Sequence, residues 1–130
     1  MGTRYAAPDT SQALIVGYYK SANNMAADNY RMATLSGGAV LRASGGTTKV
    51  AGITTNGGLA SAVNVDLALG GFTEVELRDS VSPLDWLVPD ASGYGTLTAL
   101  DSGQWFTVQA LMSGVTGDIV RCAVVPPWRF

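Results

Sequence analysis

Histidine is absent from the 130-residue sequence, cysteine occurs once, and charged residues make up only 14% of the chain. The missing histidine removes the commonest general base, the commonest side-chain metal ligand and the usual activating partner of a nucleophilic Ser or Cys. An enzyme is therefore disfavoured, and neither a cofactor nor a metal site is expected. The lone Cys122 excludes an internal disulfide and, inside the apolar run from Asp118 to Val125, reads as a small core hydrophobe. Basic residues are few and dispersed and the net charge is -2, which argues against a phosphate-backbone partner such as nucleic acid. Apolar runs such as Ala13 to Val16 fall far short of the ~20 residues that span a bilayer, so no membrane partner is expected. The opening Met1 to Ala6 shows no apolar signal core, and Ala6 stands where a myristoylation motif needs Ser or Thr, so a soluble chain without a lipid anchor is expected.

What is present points to a protein that hides surface against other proteins. Hydrophobic residues make up 47% of the sequence, a high share beside so little charge for a monomer keeping its whole exterior in water. The length fits one domain with one core.

Residues 1–12 are polar and irregular and read as an N-terminal arm, 13–125 as the β domain, and 126–130 as an aromatic C-terminal tail. Ala13 to Tyr19 is rich in β-branched and aromatic residues and reads as a strand. Asn23 to Met32 is compatible with either a short helix or an extended excursion. From Ser36 onward, short strands are predicted between glycine pairs at 37–38, 45–46, 57–58 and 70–71, each read as a tight turn. Val63 to Leu69 alternates, with Val63, Val65, Leu67 and Leu69 on one face. Thr73 to Arg78 turns Val75 and Leu77 inward and its charges outward, and 104–111 and 119–125 complete the series. Pro83, Pro89 and the glycines at 93, 95 and 103 predict short pairings and projecting loops between Ser80 and Gly103. Pro126 and Pro127 lack ladder donors, so the tail cannot continue as a central strand, and its aromatics dock either on their own domain or on a neighbour. The fold class that follows is mainly β: a single compact antiparallel barrel or sandwich with Gly-rich turns, an extended N-terminal arm and at most one short helix.

Motifs that carry chemistry are weak. Ser44-Gly-Gly-Thr-Thr-Lys49 lacks the glycine before lysine and the Ser/Thr after it that a phosphate loop needs, and reads as a hairpin. Ser92 lacks the upstream glycine of a nucleophile elbow. Asp85, Asp90, Asp101 and Asp118 fall at predicted turns, where Asp caps backbone N–H groups, and form no spaced oxygen-ligand series. The aromatics Trp86, Tyr94, Trp105 and Trp128 keep a sugar-stacking platform, and with it a carbohydrate-binding module, open as an alternative, against packing of Trp105 and Phe106 in the core or an interface. Trp128, Arg129 and Phe130 are the residue types that anchor protein interfaces.

Val50-Ala-Gly-Ile-Thr54, the stretch from Val81 to Gly93 and the stretch from Ala110 to Pro126, with Gly117-Asp118 leading into an alternating final strand, together resemble the capsid decoration (cement) proteins of tailed bacteriophages over about residues 47–126. Family members usually place a Gly-Asp turn before the middle element, where this chain has Pro83-Leu84-Asp85. The resemblance implies a structural virion protein on the outer capsid surface, with the major capsid protein and further copies of itself, typically as a homotrimer, as partners. It would clamp neighbouring capsomers against the pressure of packaged DNA, many modest contacts summing on a symmetric lattice. Interface candidates are Arg4, Tyr5 and Pro8 in the arm, with Trp86, Tyr94, Trp128, Arg129 and Phe130. Another β-rich virion component, a tail tube or fibre base, is the alternative within the structural class. An arm without its own core could add an edge strand to the capsid protein. Deleting residues 1–12 is therefore expected to abolish capsid binding and leave the fold intact; unchanged occupancy on the shell, with native circular dichroism, would remove that role.

Overall fold

The computed structural model describes residues 13–17, 19–22, 25, 28–56, 64–97 and 104–129; the arm residues Arg4, Tyr5 and Pro8, the glycine pair 57–58, Asp101 and Phe130 lie outside them. Ten strands form one mixed sheet: β1 (Ala13–Val16), β2 (Lys20–Ser21), β3 (Met32–Ser36), β4 (Ala39–Arg42), β5 (Gly52–Asn56), β6 (Asp66–Glu76), β7 (Trp86–Pro89), β8 (Gly95–Leu97), β9 (Trp105–Ala110) and β10 (Ile119–Arg129). Their order is β2-β4-β3-β5-β6-β10-β9-β7-β8, with β1 also on β6. All pairs are antiparallel except β2 with β4. No helix occurs among the described residues, and 28–32 resolves as a turn leading into β3.

The sheet closes on itself at one end. Gly95 of β8 makes a parallel bridge to Leu77 at the end of β6, and the Arg78 N–H donates to the Gly95 carbonyl at 2.9 Å, so β6, β10, β9, β7 and β8 form a ring. Its filling includes Val75, Leu77, Leu87, Val108, Val120, Cys122 and Val124, joined by Met32, Val50 and Ile53 from the open part of the sheet. Each fully buried branched or large apolar side chain contributes about 1.5–3 kcal/mol relative to exposure. A second, smaller core of Met25, Ala33, Val40, Val65 and Leu67 lies elsewhere in the sheet. Met32 joins the first core and Ala33 the second, as the period of two along a strand requires for a strand covered on both faces.

Glycine pairs do three different things here. Gly37 and Gly38, at φ 59° and 81°, make the two-residue turn between β3 and β4 that right-handed strand twist favours. The segment from Ser44 to Lys49 is no hairpin: it joins β4 to β5, which lie on opposite sides of β3. Gly70 and Gly71 do not reverse the chain either, but sit within the continuous β6, with φ 83° at Gly71. Two further expectations fail for reasons of packing. Glu74, predicted outward, is buried within the paired part of β6. The turn at 90–93 does not project, because the Gly93 carbonyl accepts from the Met32 N–H at 2.8 Å and Gly93 packs against Arg31 and Arg42.

Close backbone approach sets a sharp requirement at Gly52, where a Cβ would collide with the Ala68 carbonyl oxygen of β6. Gly45 has nothing in that position within 4 Å. Gly52→Ala is expected to cost about 2–3 kcal/mol in urea unfolding, and Gly45→Ala less than about 1 kcal/mol. Equal midpoints for the two variants would contradict the close packing of β5 on β6.

Candidate interaction surface

Register across the ring lines up a row of side chains. Phe72 of β6 stands opposite Ala123 of β10, Ala123 opposite Gln109 of β9, and Gln109 opposite Trp86 of β7. Residues directly opposed in antiparallel pairs share a face, so these four form one transverse band. Phe72 is 47% exposed and Trp86 half-buried. Gln109 donates from Nε2 to the Leu84 carbonyl at 3.0 Å, tying the band to the turn before β7, where Leu84 is 65% exposed. At the other end, Leu14 of β1 stands opposite Gly70, two residues before Phe72, and is 62% exposed.

Trp128 extends this surface. After Val124, β10 skips through Pro126 and Pro127 and rejoins β9 at Trp128 opposite Phe106 and Arg129 opposite Trp105. The Trp128 ring lies 4.7 Å from Phe106 and 5.5 Å, edge-on, from Trp86, while Trp86 and Phe106 are 6.1 Å apart. Such tilted and edge-to-face pairs add to area burial. Trp128 thus docks on its own domain, yet keeps 40% of its surface in solvent.

The aromatics do not form one platform. Trp105 carries the Lys49 ammonium over its ring at 4.5 Å. Tyr94 sits at the closure of the ring, its face held by the Arg31 guanidinium at 3.6 Å and the Arg78 guanidinium at 3.9 Å. Arg31 also donates to the Tyr94 hydroxyl at 2.6 Å and the Ser92 carbonyl at 3.1 Å. Its guanidinium faces Asp28 at 3.6 Å and Glu76 at 4.0 Å, and Asp28 is shared with Arg42 at 3.1 Å. Arg31 and Asp28 are buried, so this network is a clip between the 28–31 turn and the 90–94 turn.

The polar groups that sequence alone leaves open to chemistry are occupied structurally. Asp90 Oδ1 accepts from the N–H groups of Ser92 and Tyr94, Asp85 Oδ2 from that of Ser82, and Asp118 Oδ2 from that of Val115. Each is the turn-capping role that Asp performs well. Cys122 is wholly buried in the ring core, where burial first and the Glu74 carboxylate second push its thiol well above the ordinary range. Among the described residues no group of three or more His, Cys, Asp or Glu is placed to hold a metal.

Of the sequence-predicted interface residues, Trp86 and Trp128 are brought together, Tyr94 is placed apart in the arginine clip, and Arg129 is paired through its backbone to Trp105. Phe72, Leu14 and Leu84 were missed. Phe72 had a signal: the alternation that turns Val75 inward puts Phe72 on the same face as Glu74 and Glu76. Compared with known proteins, the chain matches no protein-family model and no curated protein.

Leu84 adds a second peculiarity to its exposure. Its φ of 72° is the left-handed region, which costs a branched side chain about 1–2 kcal/mol. The turn is pinned there by the Leu84 N–H donating to the Ala110 carbonyl at 2.7 Å and the Asp85 carbonyl accepting from the Ala110 N–H at 2.9 Å. Leu84→Gly is expected to stabilise the fold by about 0.5–1 kcal/mol, the steric relief outweighing the backbone entropy of glycine. A lower urea midpoint in Leu84→Gly would show that the leucine side chain contributes more to the fold than the strain costs.

Proposed function

We propose that the protein is a structural virion component that binds the outer surface of a tailed-bacteriophage capsid, bridges neighbouring capsomers as a homotrimer and stiffens the shell against packaged DNA. The observation that carries this reading is the exposed apolar band of Leu14, Phe72, Leu84 and Trp128 around a ring whose turn aspartates are engaged in holding the backbone. Exposed apolar area of this kind gains free energy when another protein covers it, and aromatic residues such as Trp and Phe are enriched in the cores of such interfaces. A ring already closed in the folded chain limits the ordering cost on binding. The resemblance of residues 47–126 to decoration proteins supplies the identity of the partner.

Trp128, half in solvent beside Trp86, also favours a second reading, a sugar-stacking surface. The two readings separate cleanly. In co-sedimentation with decoration-stripped capsids, the wild-type chain is expected to saturate at a fixed ratio to the major capsid protein and to raise the heat resistance of the shell. Phe72→Glu, exposed in the fold, is expected to lower occupancy by tenfold or more, equivalent to about 1.4 kcal/mol per anchor. Absence of saturable binding, with glycan retention that depends on Trp128, would replace the capsid reading by the carbohydrate one.

A further inference from the structure

A second surface, beside β3, has the chemistry of a peptide site. β3 pairs with β4 along Ala33 to Ser36 but with β5 only at Met32 and Ala33. Beyond that point the strands part, leaving a shallow groove of about 290 Å³ lined by Thr34, Leu35, Lys49, Val50, Ala51 and Pro127.

The hydrogen-bond pattern of the hairpin decides which backbone groups face this groove. In a two-residue hairpin the closing pair, Ser36 with Ala39, exchanges both bonds, and pairs alternate from there. Met32 with Ala43 is again a bonded pair, as the Ala43 N–H donating to the Met32 carbonyl at 2.9 Å shows. Ala33 and Leu35 therefore turn their backbone groups away from β4, and Ala33 accepts from the Ala51 N–H at 2.8 Å. The next pair of groups in that line, the N–H and carbonyl of Leu35, has no partner among the described residues. The segment that would have met them is diverted: the Val50 carbonyl accepts from Thr107 Oγ1 at 3.0 Å and the Lys49 carbonyl from Thr34 Oγ1 at 2.9 Å. Pro127 on the groove wall has no N–H to offer.

We infer that this groove is a strand-addition site for an extended segment of another protein, one that places an apolar side chain in the groove beside a carboxylate. The donor and acceptor of Leu35, unpaired among the described residues, call for an extended backbone, since only a strand presents both complements at that spacing. The apolar lining selects the side chain that enters, and Lys49, the charged residue of the lining, selects the sign of its neighbour. This inference stands independently of the capsid reading, because it rests on the β3 edge rather than on the band containing Phe72 and Trp128.

The test uses the full chain, isotope-labelled for amide NMR, titrated with short acetylated and amidated peptides of alternating Val and Glu, alternating Val and Lys, and the Val/Glu peptide with alternate amides N-methylated. The Val/Glu peptide is expected to shift the Leu35 amide and slow its hydrogen exchange, with affinity about threefold to fivefold above that of Val/Lys. Lys49→Glu is expected to invert that preference, and N-methylation to abolish binding. A Leu35 amide unmoved by millimolar peptide, or an equal response to the N-methylated peptide, would overturn strand addition. A Leu35 shift that tracks protein concentration without peptide would also overturn it, by assigning the groove to a second copy.

Discussion

Two consecutive prolines in β10 constrain much of the structure around them. Successive residues of a strand direct their N–H groups to opposite neighbours, so Pro126 and Pro127 remove one donor towards each side. As far as Val124, β10 is flanked by β6 at Gly71 and by β9 at Val108. Past that residue it pairs only with β9, and not until Trp128. The edge of β6 that β10 leaves is taken by β1, which runs from Gly71 to Leu67, and Gly71 with its positive φ sits at the handover. The same detour swings Trp128 onto Phe106 and Trp86 and brings Pro127 to the wall of the groove beside β3. One local chemical fact, the missing donors, thus positions both surfaces on which function is proposed.

Closure of the ring at the other end depends on charge rather than on backbone pairing alone. β8 is three residues long and makes a single bridge to β6, a weak seal. The Arg31 clip reinforces it by tying the turn at 90–94 to the turn at 28–31 through Tyr94, Ser92 and Asp28. Stacking of a planar guanidinium on each of two sides uses the one aromatic whose hydroxyl can also accept a hydrogen bond there.

How much of this was legible in the sequence follows from which interactions are local. The alternation at Val75 and Leu77 gave β6 its inward face, and 119–125 its place as a final strand, because period-two patterning is a property of neighbouring residues. Gly45-Gly46 marks a tight turn, with the Thr48 N–H donating to the Gly45 carbonyl at 3.1 Å, but no hairpin, and Gly70-Gly71 lies within a continuous strand, since glycine signals freedom of φ and not reversal of the chain; only 37–38 among the described pairs makes a hairpin. Sequence places Tyr94 among the interface candidates, with ligand stacking as the alternative, and neither reading reaches its partner Arg31, which lies 63 residues away. β10, which pairs with Glu74 through Arg121, likewise comes from a distant part of the chain, so the burial of Glu74 could not be foreseen from the alternation of its own strand.

Departures from local preference are themselves informative, because a foldable sequence keeps its propensities, patterning and turn chemistry in agreement except where something else is served. Departures of this kind include a leucine and a tyrosine in the left-handed region at 84 and 30, a phenylalanine on the charged face of β6 at 72, and two prolines within a strand at 126 and 127. None improves the core, and Leu84 and Phe72 each expose a large apolar surface. All but Tyr30 converge: Gln109 holds the Leu84 carbonyl and lies in register with Phe72 through Ala123, and Trp86, opposite Gln109, packs against the Trp128 that the prolines deliver. Their adjacency is the physical reason for proposing that band, rather than the arginine clip or the buried thiol, as an interaction surface.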